Sequence, residues 1–289
     1  MRENDLLQHI YGFNDALPKH VLIPPGDDMG LVRIGGADVF VTVDQVADGV
    51  HVDLASTPLE KVARKAITRN LSDVAAMAAQ PVAAVVAGTL PRGFGEDRAN
   101  QLFDAMRATA EAFDCPLVGG DISMWDGPLI LTVTILAEPA GVEPMLRRGA
   151  KVGDVICVTG HLGGSLEKVD EPTPGYVHHL DFEPRLEIAR ALASNRDTRP
   201  HCMIDLSDGL AMDLRRLCHA AEQPVDAEIF ADKLPLSAGA HAAEHRHGRP
   251  AWRHALADGE DYELCFTVAP EVAEHSLPSE IDGVPITEL

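Results

Sequence analysis

The stretch that most limits what this chain can fold into is Arg69-Asn70-Leu71-Ser72-Asp73 followed by Val74-Ala75-Ala76-Met77-Ala78-Ala79. A helix that is apolar on every side belongs in the interior. The segment therefore reads as a helix end and a short following helix, both enclosed by other elements, with Pro81 as the stop. Asp73 opens the short helix in this reading. A buried carboxylate is costly unless it is paired or faces a cation, and no Lys or Arg follows at the next helical turn to neutralise it. Two readings stay open on this stretch alone: a cap for free backbone N–H groups, or a ligand to a cation.

The flanking chain alternates strand and helix signals. Val21–Pro25 leads to the turn Gly26-Asp27-Asp28, and the runs Leu31–Ile34 and Asp38–Asp44 about Gly35-Gly36 predict a β-hairpin. Thr57-Pro58-Leu59-Glu60 has the form of a capping box opening a helix toward Asn70. Val82–Leu90 reads as a strand buried on both faces, Gly95–Phe113 as an amphipathic helix, and Pro128–Ala137 as a further strand. Pro139, Gly141 and Pro144 mark a boundary within 138–149, after which the pattern restarts. Strands are expected at Asp154–Thr159, Cys202–Asp205, Val225–Phe230 and Tyr262–Val268. Helices are expected from Pro184 to Ser194, Leu210 to Ala221 and Ala251 to Ala257, with a loop over 170–182. This is an α/β or α+β chain in two units, 1–140 and 141–289.

Composition narrows the function. With 24 basic and 45 acidic residues the formal net charge is −21, which argues against a nucleic-acid binder. The five cysteines are scattered and lie in apolar surroundings, so they read as reduced core thiols of a cytoplasmic protein rather than a zinc site. Met1-Arg2-Glu3-Asn4-Asp5 has no leader pattern, and no apolar run is long enough to span a membrane.

Nine acids stand at strand ends or glycine turns: Asp27, Asp28, Asp44, Asp73, Asp121, Asp205, Asp208, Glu260 and Asp261. One such residue is ordinarily a turn or cap. Converging carboxylates repel and raise one another's pKa unless a cation lies between them, and an all-oxygen set suits Mg²⁺ rather than zinc. Mg²⁺ held by carboxylates usually brings substrate phosphates. The familiar nucleotide loops, G-x-x-x-x-G-K-[ST] and G-x-G-x-x-G, are missing.

The motifs Gly26-Asp27-Asp28, Thr42-Val43-Asp44 with His51, Asn70–Met77, Gly119-Gly120-Asp121, Val158-Thr159-Gly160, Ile204–Leu210 and Gly259–Leu264 occur in this order. Together they resemble the thiamine-monophosphate kinase family, of the aminoimidazole ribonucleotide synthetase-like superfamily, over about residues 3–268. The resemblance implies a two-domain architecture of mixed sheets packed with helices, and ATP-dependent phosphorylation of thiamine monophosphate with several Mg²⁺ ions. It implies metal ligation by Asp28, Thr42, Val43, Asp44, Asp73, Asp121, Asp205 and Asp208. ATP would be held by Gly120, Asp121, Arg147 and Ser207, and the thiamine substrate by His51 and Glu260. It also implies a homodimer through the N-terminal unit. Three departures stand out: Val43 has no hydroxyl and offers only its carbonyl, Asp258 replaces a common glycine, and only residues 269–289 follow Val268, where relatives supply an aromatic.

Other features have plainer readings beside the sharp ones. His241-Ala242-Ala243-Glu244-His245 matches a zinc-peptidase pattern, with a solvated helix as the alternative. Gly160–Ser165 is either a phosphate cradle or a strand-to-helix turn. Two other functions remain alongside the kinase: a different ATP-using enzyme of the superfamily, and a non-catalytic thiamine-phosphate or nucleotide binder.

Overall fold

The computed structural model describes residues 3–289, so the leader reading at Met1 and Arg2 lies outside the described residues. The first half runs α1 (Glu3–Tyr11), β1 (Val21–Ile23), β2 (Gly30–Ile34), β3 (Ala37–Ala47), α2 (Leu59–Ala76), β4 (Ala79–Pro91), α3 (Glu96–Ala112), β5 (Leu117–Trp125) and β6 (Ile130–Pro139). Its six strands form one sheet in the order β1-β2-β3-β6-β4-β5, with only β4 and β5 parallel.

The second half runs β7 (Val155–Thr159), β8 (Lys168–Val169), β9 (Tyr176–Val177), α4 (His178–Asp181), α5 (Leu186–Ser194), β10 (Cys202–Asp205), α6 (Leu210–Ala220), α7 (Ala238–His247), α8 (Ala251–Ala257), β11 (Leu264–Val268), α9 (Pro270–His275), β12 (Glu280–Ile281) and β13 (Val284–Glu288). A five-stranded sheet orders β10-β11-β7-β13-β12, and β8 pairs with β9.

The interior explains the apolar run. Helix α2 packs on β3, β4 and β6 of the first sheet and on α3, α4, α5 and β10. One core joins Phe40, Ile67, Leu71, Leu131 and Ile135 to Met203, Phe266 and Val268 across the two sheets. The end of α2 at Val74, Ala75 and Ala76 is buried and has no use for a polar face, whereas Glu60 and Lys61 at its start reach solvent.

The expected break in that helix does not occur. Residues 59–76 form a single helix, in which the Asn70 side-chain amide donates back to Ala66 O at 3.1 Å. The turn that ends it is Met77 and Ala78, the latter at φ +51°, ahead of Pro81, which lies inside β4. Asp73 is thus in the last turn of α2, not at a helix start, and the capping reading fails. Nor does the Thr57 capping box form: Pro58 is the N-cap without a side-chain bond, and Glu60 accepts instead from Gln101 at 2.7 Å.

Several smaller expectations change. Strand β4 is not buried on both faces, because Ala87, in the row of Thr132 and Asp121, lies exposed on the side away from α2 and α3. Val225–Phe230 forms no strand, β11 begins at Leu264, and the 170–182 loop contains β9 and α4.

Candidate active site

Asp28 follows β1 in the turn to β2, Asp73 ends α2, and Asp205 ends β10. Each brings one carboxylate oxygen within 4.8 Å of the others. Burial, and then the charges of Asp205, Asp44 and Asp28, push the Asp73 carboxyl well above the usual range. Burial, followed by the charges of Asp28 and Asp213, does the same to Asp205. The carbonyl end of α2 adds a negative helix dipole at Asp73, so three separate effects disfavour its ionised form.

The protein answers this charge only in part. The Thr42 hydroxyl donates to Asp73 Oδ2, and Ser72 Oγ donates to Asp205 Oδ2 at 2.7 Å. Arg147 donates to Asp28 Oδ1 through Nη2 at 2.5 Å and Nε at 3.2 Å. Its backbone N–H donates to Asp27 Oδ1 at 3.1 Å, and burial, then the Asp28 charge, pushes Asp27 up to about 6. Asp28 Oδ2 is buried with no hydrogen-bond partner. An orphaned carboxylate oxygen beside two further carboxylates, with no sulfur or imidazole in the group, fits a hard divalent cation.

A second ring of acids surrounds this group. Asp44, two residues beyond Thr42 on the same face of β3, accepts from Arg69 Nε at 2.9 Å. Its pKa is raised by burial against the pull of Arg69, and the charges of Asp208 and Glu260 reach it. Asp208, in the turn before α6, pairs with Arg216 Nη2 at 2.5 Å. Ser207 O accepts the Glu260 N–H at 2.8 Å. Gly259 sits at φ +73°, where a Cβ would lie 2.8 Å from Ser207 O, so only glycine lets these two loops meet.

Comparison with known proteins agrees with this geometry. The family model "AIR synthase related protein, N-terminal domain" matches residues 26–138. A thiamine-monophosphate kinase of Rhodopirellula baltica is 36% identical over 99% of this chain and 88% of its own length.

The chain belongs to the thiamine-monophosphate kinase family.

Solved structures of that family superpose closely. That of "AaThiL complexed with AMPPCP and TMP" has a TM-score of 0.80 at 28% identity, covering 100% of this chain and 91% of its own. The thiamine monophosphate kinase of Aquifex aeolicus has a TM-score of 0.77 at 26% identity, covering 100% and 94%.

Not every residue expected from this kinase family's motifs joins the cluster. Sheet register places Asp121 in one row with Ala87, Thr132 and Gln45. Thr42 and Asp44 lie in the rows of Ile135 and Val133, which are buried. Successive side chains alternate faces, so Asp121 points to the opposite side of the sheet from Thr42 and Asp44. Val43 does likewise and is 58% exposed, leaving only its backbone for the site; residues 42–47 of β3 pair with β6 alone. Gly120 has a structural reason of its own: a Cβ there would lie 2.0 Å from Val86 O.

The glycine turn 160–165 is not a phosphate cradle. Gly163 N–H donates to Asp261 Oδ1 at 2.8 Å and Gly164 N–H to Asp258 Oδ2 at 3.3 Å. Asp258, the departure from glycine, also accepts from His254 Nδ1 at 2.7 Å and pairs with Arg249. The histidines of α7 assemble no metal group: among the described residues the only such cluster is Asp28, Asp73 and Asp205. No described helix is long and apolar enough to cross a membrane.

Lys65 and Arg69, which pair with Glu260 and Asp44, are not among the expected site residues, because both precede Asp73 in the chain. Lys65, Arg69 and Asp73 recur every four residues on α2, which is one stripe of a helix. The charged stripe Lys65, Arg69 and Asp73, running into the apolar end of α2 at 74–76, was the available signal.

Proposed function

We infer that this chain transfers the γ-phosphate of ATP directly to thiamine monophosphate, giving thiamine diphosphate and ADP. The observation that carries the reading is the convergence of Asp28, Asp73 and Asp205 from three separate elements, with Asp28 Oδ2 left unpaired, in a chain of this family.

The acceptor is a phosphate oxygen that is already ionised near neutral pH, so no side chain has to remove a proton. The obstacle is bringing two polyanions together. Mg²⁺ suits Asp28, Asp73 and Asp205, with Asp44, Asp208, Thr42 and the Val43 carbonyl around them; when bound, it neutralises and aligns the phosphates for in-line transfer. Arg147 holds Asp28 with one side of its guanidinium and lines a cavity of about 420 Å³ with Arg215 and Arg216. We assign that cationic wall to the nucleotide phosphates, with Ser207 at the approach to the N-terminus of α6. His51 and Glu260 serve the acceptor.

We further propose that residues 1–140 and 141–289 are the two domains of each chain, and that the protein is a cytoplasmic homodimer joined through residues 1–140. The first sheet supports this. Helices α2 and α3 pack on one face, while Val43 and Leu136 are exposed on the other and Val118, Ile122 and Met124 along the edge strand β5. Such apolar area on an unpaired edge invites a partner. Ile122→Glu is expected to shift the protein from dimer to monomer in sedimentation analysis. A wild-type monomer at micromolar concentration would refute the dimer.

The deciding experiment is incubation with ATP, Mg²⁺ and thiamine monophosphate. Thiamine diphosphate and ADP are expected in equal amounts, with none formed when EDTA is present. ADP formed only with a different acceptor would favour another enzyme of the superfamily, and binding without turnover a non-catalytic role.

A further inference from the structure

Two histidines from distant parts of the chain line one cavity of about 680 Å³, whose wall is apolar at Val50 and Leu166 and charged at Asp53, Lys168 and the Lys61–Asp181 pair. They are His51, from the loop after β3, and His179, from α4. The hydrogen bonds around each decide which ring nitrogen carries the proton.

His51 Nδ1 accepts the backbone N–H of Ala47 at 3.0 Å, so its proton is on Nε2. At His179 the decision falls to Lys65. The Lys65 ammonium is fully buried on α2 and has three partners: His51 O at 3.0 Å, Glu260 Oε2, and His179 Nδ1 at 2.6 Å. An ammonium has three donors and no acceptor, so each partner takes one N–H and His179 Nδ1 is a lone-pair acceptor. The other tautomer would aim Nδ1–H at Glu260 Oε2, 3.0 Å away, and set an N–H against an ammonium N–H. His179 is therefore the Nε2–H form, and its Nε2 is not among the buried polar atoms that lack a partner.

We propose that His179 is an acceptor-binding residue, presenting with His51 a pair of neutral Nε2–H donors to the heterocyclic end of the substrate, and that Lys65 is the positioning residue that sets this pair. The proposal rests on thiamine monophosphate being the acceptor. Its aminopyrimidine has ring nitrogens that accept hydrogen bonds, and its thiazolium is a cation that favours uncharged imidazoles nearby. Burial lowers the pKa of both histidines, which keeps them neutral. The distance suits such a molecule: Lys65 and Asp73 lie on one helix, separated by a rise of about 12 Å at 1.5 Å per residue, so α2 runs from the heterocycle cavity to the carboxylate cluster.

The test uses the full-length protein with ¹⁵N-labelled histidine. In the wild type the His179 ring is expected to show a protonated Nε2 and an unprotonated Nδ1, and the Nε2 signal to shift when thiamine monophosphate is added without ATP. His179→Leu is expected to raise KM for thiamine monophosphate about fivefold with KM for ATP unchanged, and His179→Gln, which restores an N–H near the Nε2 position, to recover most of it. Lys65→Gln is expected to redistribute the His179 tautomers and raise the same KM, with Lys65→Arg recovering part of it. A protonated Nδ1 in the wild type, or a His179 signal indifferent to substrate while the same preparation makes thiamine diphosphate, would overturn the proposal alone. Failure of the wild type to phosphorylate thiamine monophosphate would instead remove the reading beneath it.

Discussion

Asp73→Asn is expected to lower turnover by about a thousandfold or more while the protein stays folded. The substitution keeps the shape of the side chain and removes the charge at the point where three carboxylates meet. Circular dichroism should be unchanged, and the metal-free protein should melt at the wild-type temperature or higher. The reason is that Asp73 is ionised at a cost set by burial and by the charges of Asp205, Asp44 and Asp28. Wild-type protein should gain thermal stability as MgCl₂ is added, because a ligand that binds only the native state stabilises it by mass action; the variant should lose most of that gain. Near-normal turnover in Asp73→Asn would remove Asp73 from the metal site. An equal magnesium-dependent shift in both proteins would place the ion elsewhere.

Arg185→Met is expected to cost about 3–5 kcal/mol of stability, the usual penalty for leaving one member of a buried ion pair alone. Glu263 has a side chain only 2% exposed. It accepts from Arg185 Nε at 2.7 Å, from Arg185 Nη2, and from Thr159 Oγ1 at 2.6 Å. Thr159 Oγ1 in turn accepts the Leu264 N–H at 2.8 Å. Removing the guanidinium strands a carboxylate between β7, β11 and the start of α5. Urea denaturation should show the loss as a lower midpoint. The double variant Arg185→Met with Glu263→Gln should recover a large part of it, because the stranded charge has gone. A single variant within about 0.5 kcal/mol of wild type, the range of ordinary surface changes, would mean that the pair contributes no net stability.

These two sites differ in how far they could be read from the chain. The carboxylates were legible because Asp28, Asp44, Asp73, Asp205 and Asp208 each interrupt an apolar stretch at a junction, where a lone charge has no local explanation. The hairpin β2–β3, the helices α3 and α6 and the strand β7 were legible because each carries its own period and its own turn residues. Arg185–Glu263 was not: an Arg just before α5 and a Glu just before β11 give no local sign that they pair, because the two lie 78 residues apart in the chain. The capping box at Thr57 failed for a related reason. Glu60 found a partner in Gln101 on α3, and local propensity yielded to a neighbouring helix.

The sequence by itself determined which residues are chemically out of place, and through their order the family and its phosphate substrates. It could do so because a carboxylate among apolar neighbours carries its cost wherever the chain goes. Only the tertiary structure decided where those charges meet and which do not. It made α2 one helix, because packing outweighs the weak local signals at Arg69 and Asn70, and so moved Asp73 from a helix start to a helix end. It turned Asp121 to the opposite face of the sheet from Thr42 and Asp44, because strand register, with its period of two, is set by pairing between strands distant in the chain. It also brought Lys65, His179 and Glu260 together, a contact that no spacing along the chain contains.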